Sequence, residues 1–291
     1  MSSSFSKKKI DLEITLKEGK FSDSGSETVR LSGLRVSADI AKTGGIAFNE
    51  SLIRVWGLTP SMMNQLSTLG LKYSLQGRSA ITVFAGDDNS MMSTVFTGDV
   101  HEAWAEYQGA PDVPMNLRAS TGQLANIKPS PARSFSGGVD VATIMQQLAG
   151  SMGLAFENNG VSVMLQSPNF PGTDRAKAFA AAKAARINCM IDDGVLAIWP
   201  ADGFRGGDIP TLNKDTGMVG YPTYNAMGIA VQCLYNPAIR YGGRVKIESS
   251  LPQASKTWYV YQIAHNLESE TPGGQWFSSL LLTETAYGYQ Q

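Results

Sequence analysis

The chain contains two histidines, His101 and His265, and they are the first residues to consider for chemistry. Asp99 and Glu102 lie close to His101; if this segment is a strand, Asp99 and His101 share one face and Glu102 lies on the other. An Asp–His pair could bind a metal or assist hydrolysis, but it more often forms a cross-strand hydrogen bond. Neither histidine has a Cys or a second His within a turn, and the sequence lacks H-E-x-x-H. We therefore predict no catalytic residue and no metal site.

Other signatures of catalysis or cofactor binding are also missing. The sequence has no G-x-S-x-G, no phosphate-binding loop and no dinucleotide-binding fingerprint, so we predict no cofactor. Asp87 and Asp88 could be a carboxylate pair, but within GDDN they are expected to form a turn that faces solvent. Cys189 and Cys233 lie in apolar, strand-like runs and are predicted to be small buried side chains. A glycosidase needs only two carboxylates and leaves no motif, but the loops lack paired acids beside aromatic residues. We predict that the protein is not an enzyme.

Composition and charge narrow the class of protein. Of the 291 residues, 43% are apolar and 17% are charged, and the formal net charge is −1. A dedicated nucleic-acid-binding protein would normally have a basic face, and the short run Lys7–Lys9 is expected to be a solvated end. No apolar run is long enough to cross a bilayer, and the N-terminus lacks the apolar core of a signal peptide. We expect synthesis in a cytoplasm, without membrane insertion.

The N-terminal region reads as strands interrupted by one short helix. Apolar and polar residues alternate over residues 8–56, which is typical of half-buried strands. A helix should begin after Thr59, which can cap it, with Pro60 at the first helical position, where its missing N–H costs nothing. Met62 and Met63 share one face of this helix and are expected in the core. Strands then resume at Ala80–Ala85, Met92–Glu106 and Val113–Ala119.

A Ser-, Pro- and Gly-rich segment, residues 120–137, is a candidate domain boundary. After it comes a helix capped by Asp140, followed by two apolar runs on either side of Asn158-Asn159-Gly160. The same order returns with a second helix and two runs on either side of Asp193-Gly194. Asn-Gly and Asp-Gly between apolar runs are strong signals for a hairpin. The segment is therefore predicted to be a small α+β domain built from a repeated helix–hairpin unit.

The second helix of this repeat is rich in alanine, from about Asp174 to Arg186. We expect Ala176, Phe179, Ala180 and Ile187 to face inward, and Lys177 and Arg186 to face outward.

The C-terminal region, Asn225–Glu284, alternates again and is predicted to be a β-meander. Its last two strands form one long arm, Trp258–Thr283, with Pro272-Gly273-Gly274 in the turn. A similar arm closes the first β region, and each arm contains one of the two histidines. A duplicated β-barrel on either side of a different middle domain explains this economically. The predicted domains are 1–120, a first tube-like barrel; 121–208, the α+β domain; and 209–291, a second tube-like barrel.

Three stretches resemble a known family. They are GVDVATIMQQLAGSMGLAFENNGVSVML with FPGTDRAKAFAAAKAARINCMIDDGVLAIWP, MVGYPTYNAMGIAVQCLYNPAIRYGGRVKIESS, and TWYVYQIAHNLESETPGGQWFSSLLL. With these stretches the chain resembles the baseplate hub (tail hub) proteins of tailed bacteriophages, which are related to the hub part of type VI secretion spikes. The likeness covers the C-terminal half well, while the N-terminal barrel is supported mainly by its layout. The third stretch is the most specific.

The resemblance implies a virion protein of the tail baseplate, made in the bacterial host. Three chains would form a ring whose six barrels match a hexameric tail tube, or a tube-initiator protein, on one side and a trimeric central spike on the other. DNA and the tape-measure protein would pass through its channel, and the arms 92–119 and 256–283 would contact neighbouring chains or other baseplate proteins. Some hubs carry a fused lysozyme or spike; this sequence ends at Gln291 without either, so those functions would belong to partners.

Two other functions remain open at this point. The chain could be a tail-associated peptidoglycan hydrolase, in which His101 or His265 would be required for turnover. It could also be a tail tube or tube-initiator protein, which would form a six-fold ring instead of a trimer.

Overall fold

The structure is a computed structural model that describes residues 6–16, 19–21, 25–67 and 79–286. It has 46% strand and 15% helix, so the protein is mainly β, as predicted. The chain divides into two units that are each discontinuous in sequence. Unit 1 contains Met1–Ala41, Glu50–Thr121 and His265–Phe277, and unit 2 contains Lys42–Asn49, Gly122–Ala264 and Ser278–Gln291.

Over its described residues, the first part of the chain forms seven strands and one α-helix, with a short 3-10 turn at Tyr107–Gly109. They are β1 (Lys8–Thr15), β2 (Thr28–Leu31), β3 (Val36–Lys42), β4 (Glu50–Trp56), α1 (Pro60–Leu66), β5 (Ala80–Asp87), β6 (Ser93–Ala105) and β7 (Pro114–Ser120). Strands are confirmed over most of the predicted regions, and alternate side chains along β1, β4 and β5 are buried. Within the predicted region 8–56, residues 43–49 form no strand and Ile46 is exposed, so the prediction is wrong there. The predicted cap is also confirmed: the Met62 amide donates to Thr59 Oγ1 at 3.2 Å, and Met62 and Met63 are buried.

The middle of the chain forms three helices and seven short strands. They are α2 (Gln123–Ile127), β8 (Arg133–Ser134), β9 (Gly138–Asp140), α3 (Val141–Met152), β10 (Ala155–Asn158), β11 (Met164–Gln166), β12 (Asn169–Phe170), α4 (Asp174–Ala185), β13 (Ile187–Asp192) and β14 (Val195–Pro200). Helices α3 and α4 pack on one face of the three-stranded sheet β10-β14-β13 through an apolar core. Asp140 caps α3, as predicted, by accepting from the Ala142 amide at 2.9 Å.

The helix–hairpin repeat is only half present. After α4, β13 and β14 form the predicted antiparallel hairpin around Asp193-Gly194. After α3, however, β10 pairs in parallel with β14, and β11 pairs with β9. The Asn158 side chain accepts from the Val161 amide and donates to its carbonyl, and the Asn159 amide donates to the Ile198 carbonyl. These bonds replace those that a two-residue hairpin turn would need, so the prediction of a hairpin here is wrong.

The predicted faces of α4 are also wrong in part. Lys177 is fully buried, whereas Ala176 and Ala180 are exposed. The Lys177 ammonium donates to Ser130 Oγ at 2.6 Å and to the Pro131 carbonyl at 2.5 Å. A helix with alanine on every side has little contrast in hydrophobicity between its faces, so periodicity does not show which face is buried.

The last part of the chain forms six strands, all in unit 2 except for the tip of the final arm. They are β15 (Thr211–Leu212), β16 (Met218–Asn225), β17 (Gly228–Leu234), β18 (Arg244–Ile247), β19 (Thr257–Ser269) and β20 (Trp276–Thr283). Four of them were predicted as the strands of a meander, but β17 pairs with β20 instead of β18. The result is a Greek-key order rather than a meander.

The strand orders of the two units have a motif in common. In unit 1 the order is β3-β4-β7-β6-β5, followed by β1 and β2, with the distal half of β19 (His265–Ser269) beside β3. In unit 2 the order is β16-β17-β20-β19-β18, followed by β15. The shared motif consists of five strands, β3–β7 in one case and β16–β20 in the other, and each is a hairpin joined to a Greek key. The fourth of these five strands along the chain, β6 or β19, has 13 residues.

Neither sheet closes on itself over the described residues, so the two predicted barrels are not confirmed. In each unit, however, residues from distant strands of the order lie close together. In unit 1 the ammonium of Lys7, which precedes β1, lies 2.6 Å from Glu270 Oε1 in the turn of the β19–β20 arm. In unit 2 a groove of about 760 Å³ is lined both by Met218 and Tyr221 of β16 and by Lys246 of β18. Within the described part of the chain, no helix is long and apolar enough to span a membrane.

Candidate assembly surfaces and buried polar clusters

The two histidines lie in the two 13-residue strands, His101 in β6 and His265 in the distal half of β19, and both belong to unit 1. His101 is the extra residue of a β-bulge in β6, between Val100 and Glu102, and its Nδ1 lies 3.4 Å from Ser120 Oγ. The bulge breaks the alternation on which the expected Asp99–His101 face depends. His265, in β19, is 4% exposed. No group of three or more His, Cys, Asp or Glu side chains could hold a metal among the residues that the structure describes.

The basic run near the N-terminus lies at the surface, as expected, but its three lysines are also paired with acids. Lys8 lies 3.0 Å from Asp87 Oδ2, Lys9 pairs with Asp88, and Lys7 pairs with Glu270. The side chains of Ser6 and Lys8 donate hydrogen bonds to Asp87 and hold the pKa of that carboxyl well below its usual range. The GDDN turn is confirmed as a turn, but its two acids pair with the lysines, so they hold the start of β1 to the end of β5.

The two cysteines are buried and free, as predicted. Burial raises the pKa of both Cys189 and Cys233 to about 12, so both are neutral thiols near pH 7. A neutral, enclosed thiol is a poor nucleophile and a poor metal ligand.

Unit 2 contains a buried network of charges. The Lys42 ammonium lies 2.9 Å from Asp192 Oδ1 and 2.5 Å from Asp193 Oδ2. The Arg205 guanidinium lies 2.8 Å from the other oxygen of Asp192 and 2.9 Å from Glu157 Oε2. The side chains of Lys42, Asp192 and Arg205 are each at most 7% exposed. Positive and negative groups alternate through the network, so each buried charge faces an opposite one.

The neighbouring charges decide the protonation of this network. Burial alone would raise the pKa of Asp192, but Lys42 and Arg205 outweigh it and lower the pKa to about 2. Burial lowers the pKa of Lys42, but Asp192 and Asp193 outweigh it and the net pKa is raised. Burial, with the nearby Asp192 carboxylate, raises the pKa of Asp193 to about 7. Each oxygen of Asp192 meets a cation, which suits a structural clamp and gives no sign of a ligand-binding position.

The edge strand β16 presents an uncharged and largely exposed surface. Val219, Tyr221 and Tyr224 are 37%, 71% and 57% exposed, and Met227 in the adjoining turn is 42% exposed. Sheets usually protect such an edge with charges, and β16 has none, although Pro222 blocks one hydrogen-bonding position. Sequence analysis missed this strand because Gly220 and Pro222 interrupt its pattern.

The two arms end differently. The β19–β20 turn is held by the Glu268 amide, which donates to the Gln275 carbonyl at 2.7 Å, and by the Gln275 amide, which donates to Glu268 Oε2 at 3.0 Å. The β6–β7 connection is longer, and its Tyr107 is 58% exposed. Each arm therefore offers a different surface to any neighbour.

Comparisons with known proteins agree with this fold. Residues 12–273 match the model of a family described as Baseplate hub gp41. A tail protein from Neisseria meningitidis MC58 is similar in structure, with a TM-score of 0.63 at 10% identity over 94% of this chain and 96% of that one. A 43 kDa tail protein of prophage MuSo2 from Shewanella oneidensis gives a TM-score of 0.60, also at 10% identity, over 94% of this chain and 96% of that one.

A type VI secretion system component from E. coli, whose structure is described as similar to the T4 tail proteins gp27 and gp5, gives a TM-score of 0.56 at 8% identity over 88% of this chain and 76% of that one. No curated protein matches the chain at a significant level. At such low identities the solved structures establish the fold alone, whereas the family model covers most of the sequence. The chain belongs to the Baseplate hub gp41 family and is a structural protein of the tail baseplate.

Proposed function

We propose that three copies of this chain form the central ring of a tail baseplate. Each chain would contribute two tube-type barrels, formed by residues 1–120 and 209–291, with the α+β domain 121–208 between them. The ring would then offer six alike barrels to a hexameric tail tube or tube-initiator protein and three identical faces to a central spike. The protein would be made in the host cytoplasm and built into the virion.

The repeated strand order supports this proposal. A hairpin and Greek key in the same order, with a 13-residue arm strand at the same place, occur in both units. A chain that contains two alike units is suited to bridge three-fold and six-fold partners, because three chains then supply six equivalent positions.

A comparison of equivalent strands carries the proposal. In unit 1, β3 lies beside the distal half of the β19 arm, where Asn266 Nδ2 donates to Asp39 Oδ1 at 2.8 Å and Ser269 Oγ donates to the Leu34 carbonyl at 3.1 Å. Its counterpart in unit 2, β16, has the same place in the order but lies at the edge. We infer that the β6–β7 arm of a neighbouring chain covers β16, as the β19–β20 arm covers β3. Head-to-tail pairing of this kind closes a ring when each chain is rotated by one third of a turn from the next, as the trimer requires.

The same ring would line the channel for DNA and the tape-measure protein. A formal net charge of −1 suits a wall that lets a polyanion slide, since strong binding to DNA depends on many phosphate contacts from Lys and Arg. The partners at the two faces would be the tube and the spike, and the exposed arm tips would meet other baseplate proteins.

The test is the mass of the assembled protein in solution. Light scattering after size-exclusion chromatography should give three times 31.2 kDa for the purified chain. Tyr221→Lys combined with Tyr224→Lys should give the monomer mass, because two charges would then lie on the edge strand that the arm must cover. The matched control is Met164→Lys, which places a charge on an equally exposed apolar residue of β11.

A hexamer would contradict the hub and favour a tube or tube-initiator protein. A wild-type protein that stays monomeric at every concentration, also in the presence of tube and spike proteins, would contradict the ring. A trimer that survives the double substitution would show that β16 is not the contact, and an electron-microscopy map of that trimer would identify the strands that do meet.

A further inference from the structure

Unit 2 has a second opening, a cavity of about 650 Å³. The loop of residues 43–46 lies on one side of it and helix α4 on another, and the rings of Trp199 and Tyr241 form part of its wall. Those two rings meet edge to face with their centroids 6.2 Å apart. Gly44 is held directly against Tyr241, since a Cβ at this position would lie 1.9 Å from the ring. The wall is therefore mostly apolar and tightly built.

The charged side chain that is buried at this cavity is Arg175. It is 5% exposed, and its guanidinium lies between two rings, 4.1 Å from the centroid of Phe48 and 4.7 Å from that of Phe179. One Nη2 hydrogen donates to the carbonyl of Ile46. The Nε–H is buried without an acceptor, and no carboxylate pairs with this arginine among the residues that the structure describes. Burial without a nearby acid lowers the pKa of Arg175.

Among the residues that the structure describes, the other buried cations of unit 2 are all paired. Lys42 and Arg205 share Asp192, and Lys177 lies 3.1 Å from Asp174 Oδ1. Buried charges in proteins are generally paired, because an uncompensated one costs several kcal/mol. Arg175 is the exception, and its guanidinium is oriented by two rings in the wall of an apolar cavity. A clamp on the 43–48 segment would explain the Ile46 and Phe48 contacts, but it does not explain why the charge is left without an anion.

We propose that this cavity binds a carboxylate carried by an apolar peptide segment of a partner protein. The planar guanidinium matches a carboxylate through two parallel hydrogen bonds. The rings of Phe179, Trp199 and Tyr241 would take the apolar body of the segment. The site lies within unit 2, so its occupation does not depend on the ring proposed above, and it would serve as a docking point for a baseplate partner with an acidic residue beside an aromatic one.

The first experiment titrates the purified protein with phenylacetate and follows the fluorescence of its tryptophans, since Trp199 lines the cavity. Phenylacetamide, which has the same ring and no charge, is the matched control ligand. The wild type should bind phenylacetate at least about tenfold more tightly than the amide, as expected for a charge-assisted pair of hydrogen bonds. Arg175→Met should remove this preference, and Arg175→Lys should keep part of it.

Arg186→Met serves as the control variant, because Arg186 is exposed at the other end of the same helix. It should bind like the wild type. If circular dichroism shows that Arg175→Met does not fold, Arg175→Lys still tests the proposal. The proposal predicts a weaker preference for the acid over the amide in this variant, whereas a role as a clamp alone predicts no change in that preference. Equal binding of acid and amide to the wild type would overturn the proposal, and so would an unchanged preference in a folded Arg175→Met.

Two peptide arms separate the sources of the carboxylate. Gly-Gly-Phe with a free C-terminus represents a chain end, and acetyl-Phe-Asp-Phe-amide represents an acidic side chain; Gly-Gly-Phe-amide is the control for both. Arg175-dependent binding of either peptide supports the proposal and names the source. Binding of neither peptide, up to millimolar concentration, would contradict a peptide partner.

Discussion

Strand β3 of unit 1 lies between β4 and an arm, whereas its counterpart β16 in unit 2 lies at the edge of its sheet. The burial of the residues in the two strands differs accordingly. Five of the seven residues of β3 are buried, while seven of the eight residues of β16 are exposed or only half-buried. The exposed residues of β16 include two tyrosines and no charge. The same position in one topology therefore has a covered and an uncovered version, and the uncovered version lacks the usual protection of an edge.

A second difference concerns how each unit uses its ion pairs. In unit 1 the pairs of Lys8 and Lys9 with Asp87 and Asp88 lie at the surface. In unit 2 the network around Asp192 is buried. Surface pairs contribute little to stability, whereas breaking a buried pair leaves a charge without its partner. The units should therefore respond very differently to the loss of one charged residue.

The largest effect is expected when the same residue is placed in the two equivalent strands. Ala38→Lys in β3, at a fully buried position, should lower the free energy of unfolding by more than about 4 kcal/mol, because it buries an unpaired ammonium. Tyr221→Lys in β16 should change it by less than about 0.5 kcal/mol in the monomer. Urea unfolding followed by circular dichroism measures both. Similar losses in the two variants would show that β16 is covered within the monomer, which would remove the contrast between the strands.

The buried network should give the next largest effect. Asp192→Ala leaves Lys42 and Arg205 without one of their acids, so the free energy of unfolding should fall by about 3–5 kcal/mol. Lys9→Ala, which breaks an exposed pair in unit 1, is the comparison and should leave the urea midpoint where it is. If Asp192→Ala is as mild as Lys9→Ala, the network contributes nothing beyond a surface pair.

Much of this architecture could be predicted from local patterns. Alternation in β1 and β5 identified the strands, and Thr59 and Asp140 identified the starts of α1 and α3, because caps and periodicity depend on neighbours in sequence. The order of the strands could not be read this way. Whether β17 pairs with β18 or β20 depends on contacts between distant segments, and the short connection to β18 favoured the wrong choice.

The buried charge network and the burial of Arg175 could not be predicted from the sequence for the same reason, because they depend on contacts between distant segments. Asp192 and Asp193 are visible as part of a turn, but Lys42 lies about 150 residues earlier, and no local pattern links it to them. Arg175 is one of several charged residues on an alanine-rich helix, and its sequence context does not distinguish it from the others. Only the fold shows that this side chain is buried between two rings while its neighbour Ala176 is exposed.

Acid should distinguish the units by a smaller amount. The pKa of Asp192 is about 2 in the folded protein and about 3.9 in an unfolded chain, so its contribution is complete above the unfolded value and is lost as the pH falls towards 2. This contribution is worth about 2–3 kcal/mol. Urea midpoints from about pH 4.5 to about pH 2 should fall less steeply for Asp192→Asn than for the wild type. The remaining slope in the variant should include Asp87 of unit 1, whose pKa is also lowered. Parallel slopes for the two proteins would mean that folding does not lower the pKa of Asp192.

The smallest effects concern the first turns of one helix from each unit. Thr59→Ala removes a neutral cap from the seven-residue helix α1 in unit 1, and Asp140→Ala removes a charged cap from the twelve-residue helix α3 in unit 2. Each should cost about 1 kcal/mol of unfolding free energy, and Asp140→Ala should cost more, because its carboxylate also interacts with the helix dipole. Thr59→Ser and Asp140→Asn keep a side-chain acceptor and should recover most of the loss. If Asp140→Asn is as damaging as Asp140→Ala, the carboxylate charge matters more than the hydrogen bond that it accepts from Ala142.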